Sequence, residues 1–199
     1  MIVLRELCRL LSATLHLPGV ERWASPLCDR ELLPSLDHQA TALDAALLLG
    51  AVVAAPRPEE APRVVVALAN LPRMSTLRRV DGPEIETWAR GTGADIAAMP
   101  GDPLDALATA IEQERFPENR FYFGSLRVEE GAGRAELLGW LGDDLRNCRS
   151  RYYLPDSGLP SGLTRTAEIH SDVIGAIANA LWPPARHTAN HHASTLTTH

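Results

Sequence analysis

Five residues within a short run carry the strongest chemical promise in this chain: Arg146, Arg149, Arg151, Tyr152 and Tyr153, followed by the turn-rich stretch LPDSGLPSG from Leu154 to Gly162. Guanidinium forks grip phosphate or carboxylate through two parallel hydrogen bonds. Tyrosine rings stack on planar groups. A glycine-containing loop beside them could close over a bound molecule. The cluster predicts a site for a small anion-bearing ligand such as a nucleotide, held by Arg149 and Arg151 with Tyr152 or Tyr153 stacking. The same residues also fit a plain structural role: a helix end whose arginines complement the negative dipole pole, then a strand whose tyrosines pack.

Other groups are less well placed for chemistry. The turn Met99-Pro100-Gly101-Asp102 precedes a helix N-terminus, where ligands bind in open α/β sheets. Asp102 and Asp105 already fill the anion position there, so a phosphate would be repelled; capping is the simpler role. With Asp172 they could serve a small carboxylate-dependent hydrolase or transferase, provided that two of them converge in one pocket. His170, Ser171 and Asp172, and likewise Glu168 and His170, are read as helical neighbours that point apart. His187, His191, His192 and His199 lie in a polar tail; His187 and His191 have helical chelate spacing but no acidic or thiol companion, so no metal site is assigned. Gly91-Thr92-Gly93 follows a helix and precedes a strand, the reverse of the dinucleotide-binding order. Ser125 lacks the G-x-S-x-G context. No catalytic residue is assigned and no cofactor is identified.

Composition narrows the field. All 19 basic residues are arginine, so Schiff-base and P-loop lysine chemistry are excluded. The arginine-only basic set with abundant alanine fits a GC-rich, bacterial source. Net charge is −6, which argues against general nucleic-acid binding. Cys8, Cys28 and Cys148 are odd in number and widely spaced, as in a reducing, cytoplasmic chain. Arg5, Glu6 and Arg9 interrupt the apolar start in a way a signal peptide does not. The apolar run from Ala42 to Ala55 is too short to span a bilayer, which takes about 20 residues.

The elements that must position these groups follow from periodicity and punctuation. Helices are expected over 2–17, 38–54 (capped by Asp37), 83–90, 103–115, 134–147 and 166–182, with 21–36 irregular and 70–82 a loop. The clearest is 103–115, where Asp102 caps, Pro103 takes the first position, and Leu104, Leu107, Ala108 and Ile111 form one stripe. Strands are expected near 64–68, 94–98, 121–128 and 151–154. The strand–helix–strand order around 94–128 implies a crossover and a parallel pair. The expected fold class is therefore α/β: a small, largely parallel sheet with flanking helices and an N-terminal helical segment. The division is 1–55 helical segment, 63–182 α/β domain, with a polar linker between them, and 183–199 disordered tail.

The apolar helix Leu43–Ala54, the strand Val64–Leu68, the run Asp102-Pro103-Leu104-Asp105-Ala106-Leu107 and the helix Glu136–Arg146 loosely resemble, in order, the cyclic-dinucleotide-binding domain of STING-like proteins. That resemblance implies a dimer with ligand between protomers, gripped by arginines and aromatics; Arg149, Arg151, Tyr152 and Tyr153 would take those parts. The FYFGSLRV strand interrupts the family's order, and the first 36 residues have no counterpart.

The function expected is a non-catalytic cytoplasmic domain that senses a small anionic ligand or assembles with a protein partner or a second copy. The alternatives are an adaptor docking through the 42–55 helix, the cyclic-dinucleotide sensor, and the carboxylate enzyme.

Overall fold

A computed structural model describes residues 2–80, 87–90, 100–115, 121–129, 133–141, 146–153 and 165–183. The chain begins with helices. In α1 (Leu4–Thr14), Leu4, Leu7, Cys8 and Leu11 recur at helical spacing and are buried. The segment read as irregular contains α2 (Glu21–Asp29), which tolerates Pro26 and buries Ala24 and Leu27. α3 (Ala42–Ala54) starts later than expected. Its cap is Thr41, whose hydroxyl accepts from Asp44 N at 3.2 Å while Asp44 Oδ2 accepts from Thr41 N at 2.9 Å. Asp37 pairs instead with Arg5 at 3.1 Å. α3 is buried on nearly all sides within this chain, packed on α4 (Ala61–Ala69) and α5 (Pro103–Gln113). Gly50 faces the side chains of both neighbours closely: a Cβ there would lie 2.6 Å from Leu104 Cδ2 and 3.1 Å from Leu68 Cδ1.

Two apolar runs take the opposite structure from the one their local residues favour. Residues 64–68 lie in α4, not a strand. Pro58–Glu60 forms one 3₁₀ turn, and Pro62 sits in the first turn of α4, where its missing N–H costs nothing. Val64, Val65 and Leu68 are buried while Val66 is 47% exposed, a helical pattern. The described residues of the expected 134–147 helix are strand, not helix. They supply β4 (Arg134–Leu141) and the start of β5 (Arg146–Tyr153). Ala135, Leu137 and Gly139 are buried and Arg134, Glu136 and Leu138 half-buried, a period of two. The elements behind the STING-like resemblance, a strand at 64–68 and a helix at 136–146, are thus absent.

The remaining strands are β1 (Arg73–Val80), β2 (Thr87–Arg90), β3 (Phe121–Glu129) and β6 (Thr166–His170). β1 occupies most of the expected 70–82 loop, β2 is formed by the described part of the expected 83–90 helix, and β6 takes the first turn of the expected last helix, which becomes α6 (Ser171–Leu181). The six described strands form one sheet in the order β2-β1-β5-β4-β3-β6. Every neighbouring pair is antiparallel, so the largely parallel sheet is overturned. The crossover argument fails because β3 pairs with β4 and β6, both antiparallel; the expected strand at 94–98 and tail at 184–199 lie outside the described residues. A bulge at Gly124 interrupts the β3–β4 register.

Helices cover one face of the sheet at β3, β4 and β6. α3, α5 and α6 contact β3, with α5 also on β4 and α3 and α6 on β6. Leu126, Val128, Leu137, Tyr152 and Ile169 point into a hydrophobic cluster shared with Leu4, Leu7, Leu48, Leu49, Leu107 and Ile177. The N-terminal helices and the sheet thus have one core between them.

Candidate functional site

The other face of the sheet carries the charge. Alternation along each strand sends Leu126 and Val128 inward and Arg127 outward on β3, Ala135 and Leu137 inward and Glu136 outward on β4, Ser150 and Tyr152 inward and Arg149 and Arg151 outward on β5, and Ile169 inward and Glu168 and His170 outward on β6. Register then lines these residues up. Glu168 pairs with Arg127, Arg127 with Glu136, and Glu136 with Arg151, giving one row of alternating sign across four strands.

The row is closely knit. Arg127 Nη2 donates to Glu168 Oε2 at 3.1 Å, and Arg151 Nε donates to Glu136 Oε1 at 3.1 Å. Arg149 Nε makes a longer ion pair with that same Glu136 oxygen, at 3.6 Å. The Ser125 hydroxyl, and then Arg127, hold the Glu168 carboxyl below the usual carboxylate range. A second row lies beside the first, since the Val128–Ala135 pairing sets Glu129 next to Arg134. Between the rows is an open cavity of about 250 Å³, lined by Arg127, Glu129, Arg134, Glu136, Arg151 and Thr166, with Ala135 and Tyr152 at its floor.

The residues singled out in the sequence are divided by this geometry. Arg149 and Arg151 lie together on the outer face, already engaged by Glu136. Tyr152 is on the opposite face, fully buried, and its hydroxyl donates to Pro100 O at 3.1 Å. Burial pushes its phenol well above the ordinary range. Arg146 and Tyr153 occupy the two ends of β5, and their side chains, like the loop from 154 to 162, lie outside the described residues. Asp102 caps α5, accepting from Leu104 N and Asp105 N at 2.9 Å each, and burial raises its carboxyl pKa. Asp105 accepts from Gly101 N at 3.1 Å, while Asp172 is exposed in the first turn of α6. Gly91–Gly93 and the four C-terminal histidines lie outside the described residues.

One pairing comes out differently from the helical reading. Glu168 and His170 are on a strand, where residues two apart share a face, and β3 brings Ser125 opposite His170. Serine, histidine and carboxylate therefore meet on the outer face. The Ser125 hydroxyl bonds Glu168 rather than His170, so the imidazole is not set to take its proton. The residues that sequence reasoning passed over are Arg127, Glu129, Arg134 and Glu136, while Glu168 was considered and set aside on the helical reading. Their signal was a charge at every second position, Arg127-x-Glu129, Arg134-x-Glu136, Arg149-x-Arg151 and Glu168-x-His170.

Among the described residues no group of three or more potential ligands could hold a metal ion, and no helix is long and apolar enough to cross a membrane. No family model matches the chain, and neither the curated proteins nor the solved structures contain a match to it.

Proposed function

We propose that the chain is a non-catalytic cytoplasmic assembly domain whose working surface is the outer face of the sheet. The observation that carries this reading is the row Glu168–Arg127–Glu136–Arg151, four charges of alternating sign on strands whose opposite face is covered by helices at β3, β4 and β6 and buries Tyr152 on β5. A surface of mixed sign, pre-set by its own ion pairs, recognises another polar protein surface by complementarity of charge. It is poorly suited to a nucleotide, because Glu136 already answers Arg149 and Arg151.

The test is position-specific photo-crosslinking in cells that make the protein. A benzophenone amino acid at Thr166, exposed on the outer face, is expected to give an adduct. The same amino acid at Arg63, exposed on α4, is the control. Adducts at Arg63 and none at Thr166 would overturn the assignment of the face.

A second reading has one observation in its favour. Arg127, Arg134 and Arg151 surround the 250 Å³ cavity, giving three guanidinium groups against the carboxylates of Glu129 and Glu136. A small anionic ligand would have to displace one of those carboxylates. Thermal shift at low salt with inorganic phosphate, mononucleotides and cyclic dinucleotides tests it. A ligand at a hundredfold excess over its Kd stabilises by about 2.7 kcal/mol, and a flat screen rejects the reading.

A further inference from the structure

The rows of charge on the outer face have a symmetry that singles out one partner. Consider a line parallel to the strands, running between β3 and β4. On one side lie Glu168 of β6 and Arg127 of β3; on the other, at matching distances, lie Arg151 of β5 and Glu136 of β4. Each charge has its opposite at the mirrored position. The second row repeats the pattern, with Glu129 on β3 and Arg134 on β4.

We infer that the outer face packs against the same face of a second copy of this chain, about a two-fold axis parallel to β3 and β4. This inference rests on the reading of the outer face as the working surface. A two-fold in that direction turns one sheet over onto the other and exchanges the two sides of the line. Glu168 then meets Arg151 of the second copy, Arg127 meets Glu136, and Glu129 meets Arg134. Each contact occurs twice, giving six pairs of opposite charge and no like pair within these two rows. The third row, His170–Ser125–Leu138–Arg149, adds no such pair and brings His170 opposite Arg149.

The distances suit such a packing. Face-to-face sheets lie about 10 Å apart, a gap that an arginine and a glutamate from opposite sides can bridge. An isologous interface must be self-complementary, and a sign pattern that inverts about its own centre meets that requirement. An unrelated partner would impose no inversion. Because the contacts are charged and hydrated, the dimer should be weak and sensitive to salt.

Sedimentation velocity on the full chain tests this, from 5 to 200 µM at about 20 and 500 mM salt. The wild type should dimerise at low salt and lose at least tenfold in affinity at high salt. Arg127→Glu with Arg151→Glu makes the first row wholly acidic; Glu136→Arg with Glu168→Arg makes it wholly basic. Each variant alone should be monomeric, and an equimolar mixture should form a heterodimer at low salt. A wild type that stays monomeric at 200 µM in low salt, variants that self-associate as the wild type does, or folded variants that do not pair when mixed would each overturn the inference. Should circular dichroism show that a charge-reversed variant is unfolded, Arg127→Gln with Glu136→Gln replaces it; dimer affinity should fall at least fivefold, and an unchanged affinity overturns the inference. A monomeric wild type whose Thr166 adduct contains a different protein overturns the second copy as partner and leaves the outer face as the working surface. Adducts confined to Arg63 overturn both.

Discussion

Replacing Tyr152 by Phe should lower stability by about 1 kcal/mol at pH 7, the ordinary net worth of one hydrogen bond. The ring is fully buried, and its hydroxyl donates to the buried carbonyl of Pro100 at 3.1 Å, tying β5 to the turn before α5. Removing the hydroxyl does not orphan that carbonyl, because Arg73 Nη1 also donates to it, at 3.4 Å. The larger penalty for an unsatisfied buried acceptor is therefore avoided. In a chain of this length the loss corresponds to about 2–4 °C in Tm. The alkaline limb provides a sharper test. Burial raises the phenol pKa in the folded protein, while the unfolded phenol titrates near 10. Above that pH the unfolded chain sheds a proton that the folded chain keeps, so the tyrosine's contribution falls as pH rises. The drop approaches about 1.4 kcal/mol per pH unit, so the wild-type and Phe stability curves should cross near pH 11, at roughly the point where the drop equals the hydrogen bond. Urea unfolding followed by circular dichroism from pH 7 to 11.5 measures both. The other tyrosines are common to the two proteins and cancel in the difference. Equal stabilities at pH 7 with parallel alkaline limbs would refute the buried, hydrogen-bonded hydroxyl.

Three substitutions and one chemical treatment probe other parts of the fold. Gly50→Ala gains about 1 kcal/mol of helix propensity but drives a methyl against Leu104 and Leu68, an overpacking cost of about 1–3 kcal/mol; a net loss near 1 kcal/mol is expected in urea unfolding, and a net gain would mean that α3 and α5 are farther apart than described. Asp102→Ala should lose about 1 kcal/mol of capping. Asp102→Asn should match or slightly exceed the wild type at pH 7, because burial raises the carboxyl pKa and makes its ionisation a cost that is relieved below the unfolded value; a loss as large as alanine's would contradict this. Cys8 is buried with its thiol pushed up to about 11, so iodoacetamide at pH 8 should leave it unmodified in the native protein and label it in urea, as peptide mass spectrometry would show; rapid native labelling would place Cys8 at the surface.

The legible parts of the fold are those where backbone punctuation and side-chain period agree. Around α5, Asp102 caps, Pro103 opens and the apolar stripe points one way, so the helix follows from local chemistry alone. β3 was visible for a similar reason, its aromatic and β-branched residues being strand formers. In α4 the two signals conflict. Val64, Val65 and Val66 favour a strand locally, but Pro62 opens a helix and packing against α3 and α5 offers a face for Val64, Val65 and Leu68, so tertiary context decides. β4 was misread because its inward residues, Ala135, Leu137 and Gly139, include two small ones, while Leu138 and Leu141 supply a false helical spacing. That error hid the candidate site, since only strand alternation puts Arg127, Glu136 and Arg151 on one face. Arg149 and Arg151 were visible as chemistry, but the carboxylate that engages them lies on another strand, and no local rule connects Glu136 to them.

The packing of α1 against α6 has a consequence for how the protein is made. About 160 residues separate the two helices, and ribosomes add about 5–20 residues per second, so α1 waits roughly 10–30 s for the surface it covers. At the start of that interval α3, apolar on nearly every side, has α2 and α4 to lean on, with α5, β3 and β6 still to be made in that order. The strand that completes its shelter, β6, joins the sheet beyond β3, on the far side from β5, the strand made just before it. Completing the native fold therefore requires late, long-range closure rather than growth from the N-terminus alone, and α3 is least covered until α5 emerges.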